Sequence, residues 1–126
     1  MINKFKKIVI KIGSSSIVDE KTKKIKNSWL RSICDDIQSI HSNKEIIIVC
    51  SGAIALGTKF INNKKPIRRL EDKQAAAAIG QIELAKGWQN TLKKNKIQTA
   101  QILLTLDDSE IRRRYLNVRK TINALH

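Results

Sequence analysis

Glu45-Ile46-Ile47-Ile48-Val49-Cys50-Ser51-Gly52 is the stretch on which the fold turns. Ile46 to Val49 is apolar on both faces of a pleat, as a strand buried within a parallel sheet requires. Ser51-Gly52 breaks it, and Ala53 to Lys59 favours helix. Upstream, Phe5 to Ile12 is β-branched and partly alternating, and it stops abruptly at Gly13 followed by Ser14, Ser15 and Ser16. Between the two strands, Asn27 or Ser28 can cap a helix with Leu30, Ile33, Cys34, Ile37 and Ile40 at spacings of three and four. Downstream, Asn62 to Arg69 holds the only proline and reads as a loop. Asp72 to Lys94 is a long Ala-rich helix that tolerates Gly80 and Gly87. Ile97 to Thr105 reads as a third strand. Asp107 or Asp108 can then cap a last helix with Ile111, Tyr115, Val118, Ile122 and Leu125 on one stripe. The order β-α-β-α-α-β-α predicts an α/β fold, a parallel sheet with helices on both faces.

The 126 residues suffice for one domain and are 41% hydrophobic and 29% charged, a globular composition. No apolar run approaches the ~20 residues of a membrane span, and the N-terminal apolar run is too short for a secretory signal. The formal charge of +14 raises the question of a polyanionic partner. The excess is spread evenly, at +6 over residues 1–63 and +8 over 64–126, and only five aromatic residues are present. That distribution disfavours a nucleic-acid module, which concentrates its charge and stacks bases on aromatics. Cys34 and Cys50 lack metal-ligand spacing and read as free thiols in a reducing compartment, so neither a metal site nor a disulfide is expected. Three strands form a small sheet, and the last helix has no following strand to return to. The chain therefore reads as the front part of something larger.

Ligands of open α/β sheets collect beyond the carboxyl ends of the strands. The first such end, Lys11-Ile12-Gly13-Ser14-Ser15-Ser16, has phosphate-site chemistry: a cation, a tight turn and hydroxyl donors. A lysine snorkelling beside a Ser-rich turn is the plainer alternative. At the second, Ser51-Gly52-Ala53, a strand meets a helix N-terminus where amides bind carboxylate or phosphate; an ordinary cap is the alternative. Thr105-Leu106-Asp107-Asp108 reads most simply as a cap. Arg112, Arg113 and Arg114 fall within reach of Asp108 and Glu110 for exposed ion pairs. The small residues of Gln74 to Gln81 suggest another element packing closely.

In combination these segments are far more specific. Ile8-Val9-Ile10-Lys11-Ile12-Gly13-Ser14-Ser15 and Cys50-Ser51-Gly52-Ala53-Ile54-Ala55-Leu56-Gly57 resemble the first two motifs of the glutamate 5-kinase family. Lys73 to Gln81, Gln101 to Asp108 and Arg112 to Thr121 continue the likeness in order and spacing. Cys50 and Leu106 depart from it, standing where a hydroxyl residue and an arginine are expected. The resemblance implies a partial amino acid kinase-like αβα sandwich over residues 1–126, with a mainly parallel sheet ending after the third strand and its helix. The half carrying the nucleotide pocket is absent from it.

It further implies ATP-dependent phosphorylation of the L-glutamate side-chain carboxylate to L-glutamyl 5-phosphate, the first step of proline biosynthesis, in the cytoplasm. Lys11 is implied as catalytic and, with Gly13 and Ser14, as a binder of the ATP phosphates. Ser51 and Gly52 are implied to bind glutamate, and Mg2+ to accompany the nucleotide. The chain alone is expected to be inactive, and to belong to a homo-oligomer or to await a complementary C-terminal half. The alternatives are another amino acid kinase such as acetylglutamate kinase, or a non-catalytic remnant or basic binding module.

Overall fold

A computed structural model describes residues 2–61 and 66–126. Strand β1 (Lys7–Ile12) pairs in parallel with β2 (Glu45–Cys50), from Lys7 opposite Glu45 to Ile12 opposite Cys50. In β1 the side chains alternate. Ile10 and Ile12 turn to the core, and Lys7, Val9 and Lys11 turn away from it.

Helix α1 (Ser14–Ile17) is a single turn directly after β1, and α2 (Asn27–Ile40) carries the chain back between the strands. The apolar stripe of α2 does what its spacing predicts, burying Leu30, Cys34 and Ile37. After β2 comes the short α3 (Ala53–Gly57), continued by a 3-10 turn at Thr58–Phe60. Helix α4 (Leu70–Lys94) then contributes Leu84, Trp88 and Leu92 to one core with Ile12, Ile17, Val18, Leu56 and the α2 stripe.

The small residues of 74–81 are explained by α3. A methyl group placed on Gly80 would lie 1.8 Å from the Ala53 carbonyl oxygen, and one on Gly57 would lie 1.8 Å from that of Ala76. The two helices thus meet backbone to backbone, as the sequence suggested.

The α/β class and the parallel pairing hold, with three corrections. Ile97 to Thr105 is not a strand, and among the described residues the sheet has two strands rather than three. Ile97 still packs against the core, but Leu103 and Leu104 are 73% and 59% exposed. β-branched composition makes a strand only where another strand supplies the hydrogen-bond ladder. Second, the outer face of the sheet is open at Val9 and Val49, 64% and 50% exposed, and no helix among the described residues covers them. Third, the last helix is two, α5 (Leu106–Glu110) and α6 (Arg112–Leu125), broken at Ile111, whose backbone is extended. Smaller differences concern the caps. Lys26 rather than Asn27 or Ser28 precedes α2, and Thr105 precedes α5. The expected loop Asn62–Arg69 lies outside the described residues at positions 62–65 and is irregular over the rest.

Candidate functional site

Parallel register sets the carboxyl ends of β1 and β2 side by side, with Ile12 opposite Cys50. Beyond them the chain makes two turns that touch. Gly13 is extended (φ −76°, ψ 157°) and leads into α1 with no side chain capping the helix. Ser51 is tied to the end of β1 twice. Its N–H donates to the Ile12 carbonyl at 3.1 Å, and its hydroxyl donates to the same oxygen at 3.3 Å.

Gly52 has φ +125°, a conformation that L side chains rarely adopt. A methyl group there would also meet Val18 Cγ2 at 3.1 Å, Ile17 Cγ2 at 3.4 Å and Ser14 Cα at 3.7 Å. Glycine is therefore required both by conformation and by the close approach of the first turn.

The wall behind Gly52 is itself fixed. The Val18 N–H donates to Ser14 O at 2.8 Å, and the Lys26 N–H donates to Ile17 O at 2.8 Å. The Lys26 ammonium donates to Ser15 O at 2.8 Å, and Val18 bridges to Ile25. Asp19 closes the loop between them by accepting from the Thr22 and Lys21 amides and the Thr22 hydroxyl. Those bonds, the Thr22 amide first, hold its carboxyl below the usual aspartate range.

The structure thus brings Gly13, Ser14, Ser51 and Gly52 together. Lys11 lies one residue before the end of β1, in register with Val49 and exposed. The two ends of β1 differ in charge. At the amino end Lys7 pairs with Glu45 at 2.9 Å, and that bond is the main reason the Glu45 carboxyl is held below its usual range. At the carboxyl end Lys11 has no ion-pair partner among the described residues.

Cys50 lies beside the Ser51 turn, and its Sγ–H donates to Ser51 O at 3.3 Å. Burial pushes this thiol up, against a smaller opposing effect of the Trp88 indole. The indole N–H is buried but lacks hydrogen-bond geometry to any partner among the described residues. Cys34 is pushed up to about 11 by burial and by Asp35. Both cysteines are free thiols, and neither has thiolate character for nucleophilic work.

Thr105–Asp108 does not join the site. The Asp108 carboxylate accepts from the Thr105 N–H at 2.6 Å and its hydroxyl at 2.9 Å, a capping arrangement. Of the three arginines that follow, Arg114 makes an ion pair, with Asp107 at 3.5 Å rather than with Asp108 or Glu110. Sequence reasoning missed Lys26 and the Ile17–Val18 wall, which left no signal. Gly80 stood out as a glycine in an alanine-rich segment suited to close packing, but its place against the start of α3 did not.

A parallel pair of strands with glycine turns at adjoining carboxyl ends, followed by short helices, can present backbone amides to a phosphate or a carboxylate. Residues 6–126 match the amino acid kinase family, and the chain belongs to that family. Among curated proteins it is similar to glutamate 5-kinases. That of Paramagnetospirillum magneticum is 48% identical over 121 residues, covering 95% of this chain and 32% of the relative. Those of Sinorhizobium fredii and Bartonella henselae are 50% and 51% identical over 125 and 122 residues, covering 98% and 96% of this chain and 32% of each relative. The chain spans about a third of the length of the relatives it matches.

Proposed function

We propose that the chain is the N-terminal part of an ATP-dependent kinase that transfers a phosphoryl group to the side-chain carboxylate of L-glutamate. The product is L-glutamyl 5-phosphate, the first intermediate of proline biosynthesis, made in the cytoplasm. The observation that carries this reading is identity of about half to glutamate 5-kinases over 95–98% of the chain, a span that includes both turns.

Phosphoryl transfer asks a protein for position and charge neutralisation rather than for a covalent nucleophile. In this reading Lys11 offsets charge on the transferring group and acts as the catalytic cation. Gly13 and Ser14 present amide and hydroxyl donors to the nucleotide phosphates. Ser51 and Gly52 hold the acceptor carboxylate. In the present geometry the Ser51 hydroxyl donates to Ile12 O, so binding a carboxylate requires that its proton turn from Ile12 O to the ligand.

The residues fit a phosphate tail: an exposed cation and two turns without side-chain caps. ATP brings the phosphoryl group, and Mg2+ enters with its phosphates. The other two thirds of the relatives' length are assigned the nucleotide pocket, contributed either by the same polypeptide or by a complementary one, in a homo-oligomer. Residues 1–126 by themselves are expected to turn over no ATP.

The test is to join residues 1–126 to the remaining two thirds of the Sinorhizobium fredii relative and assay ATP consumption. Turnover that depends on L-glutamate, with N-acetyl-L-glutamate inert, supports the reading. Turnover with N-acetyl-L-glutamate instead moves the chain to another branch of the family, and turnover with neither refutes the assignment.

A further inference from the structure

Helix α4 has two interior glycines in unlike surroundings. A methyl group on Gly87 would meet the Cδ1 end of Ile25 at 2.6 Å and Leu30 Cδ2 at 3.6 Å, both of them ends of flexible side chains. On Gly80 it would meet Ala53 O at 1.8 Å, with Ala53 C and Gly57 N both at 2.7 Å. All three are backbone atoms of α3 and cannot rotate away. Alanine favours the helix equally at both positions, so only the surroundings separate them.

If that contact is violated, one helix must move. Helix α4 is anchored by Leu84, Trp88 and Leu92, whereas α3 is five residues long and holds the core through Leu56. The shorter element yields. Ala53 follows Gly52 directly, and Gly52 already stands against Ile17 and Val18 on its other side. Gly52 thus stands against residues 17–18, and the next residue, Ala53, stands against the bare backbone of α4.

We propose that Gly80 is a positioning residue: the absence of a side chain there sets where α3 begins and so where the Ser51–Gly52 turn stands for its carboxylate ligand. This rests on the functional reading of that turn. Gly80 itself is not proposed to touch substrate.

The experiment compares Gly80→Ala with Gly87→Ala in the full 126-residue chain by amide NMR, with and without L-glutamate. Gly87→Ala is expected to leave the Ser51, Gly52 and Ala53 resonances and the L-glutamate affinity unchanged. Gly80→Ala is expected to shift those resonances and to weaken L-glutamate by roughly tenfold or more, as small misplacements of a binding group do. A folded Gly80→Ala chain with native turn resonances and native affinity overturns the proposal.

If that variant does not fold, hydrogen exchange of the unaltered chain decides. L-glutamate should slow exchange at residues 80–84 of α4 as well as at 51–53, and slowing confined to 51–53 overturns the proposal. If the unaltered chain does not respond to L-glutamate, the ligand arm is repeated on the chain fused to the remaining two thirds of the Sinorhizobium fredii relative, where silence refutes the substrate assignment. The turn resonances of the two variants still judge the positioning role.

Discussion

Helix α4 sinks Ala76, Gly80, Leu84, Trp88 and Leu92 into the core, whereas α6, with fourteen residues, buries none. Both helices carry apolar residues at helical spacing. In α4 that stripe meets α3 and the inner face of the sheet. In α6 Tyr115 and Leu125 stay 49% and 53% exposed, and the helix packs mainly on α5. The difference is one of partners rather than of propensity: an amphipathic pattern makes a helix, and burial needs a second apolar surface at the right place. Both turns of the candidate site belong to the packed region.

The sharpest way to break this comparison is to cut one leucine from each region. Leu84→Ala is expected to cost about 2–5 kcal/mol in urea unfolding, because a buried side chain leaves a cavity. Leu116→Ala, on α6, is expected to stay within about 0.5 kcal/mol. Equal losses would mean that α6 is part of the cooperative unit.

Within the packed region the two turn glycines should separate almost as clearly. Gly52→Ala meets both a forbidden φ and the Ile17–Val18 wall, and about 1–3 kcal/mol of destabilisation is expected. Gly13 has an ordinary φ and open space around it, so Gly13→Ala should leave the unfolding midpoint close to native. A neutral Gly52→Ala would contradict the described turn.

A smaller contrast concerns ion pairs. Lys59 and Glu83 join the 3-10 turn after α3 to α4 at 2.9 Å with both side chains partly buried. Arg114 and Asp107 pair at 3.5 Å in the open. Lys59→Met should cost up to about 1 kcal/mol and Arg114→Met almost nothing, as double-mutant cycles with the partner carboxylates would show.

The smallest effect is a pH dependence of α5. The Thr105 bonds hold the Asp108 carboxyl below its usual 3.8 in the folded chain. The cap therefore contributes fully above that value and is lost as pH falls through the lower folded one. Amide exchange of α5 should quicken there while α4 is still protected, and Asp108→Asn should remove most of the pH dependence.

How much of this was legible follows from the same physics. Ile46 to Val49 and the Leu30, Cys34 and Ile37 stripe announce strand and helix because their periods are local, and the structure agrees with both. The adjoining turns at Gly13–Ser14 and Ser51–Gly52 were legible because parallel strands place their carboxyl ends together. Ile97 to Thr105 reads as a strand and is not one, because pairing is a property of two segments and its own residues cannot show whether a ladder is available. The break at Ile111 was hidden because the apolar stripe starts there and no glycine or proline marks the join between Leu106 and Arg112. Gly80 could be noticed as unusual, but its meaning depends on where Ala53 falls, a tertiary fact.

Lys7 and Lys11 offer the last comparison, two lysines on the same outer face of β1. Lys7 sits at the amino end and is paired with Glu45; Lys11 sits beside the two turns. The deciding measurement is the turnover of the fused enzyme carrying Lys11→Met, set against the same enzyme carrying Lys7→Met. A loss of about 100-fold or more in kcat for Lys11→Met, with Lys7→Met near native, is the predicted result for a cation facing the transferring phosphoryl group. A Lys11→Met enzyme that keeps native turnover would contradict the assignment of this strand end as the site of phosphoryl transfer.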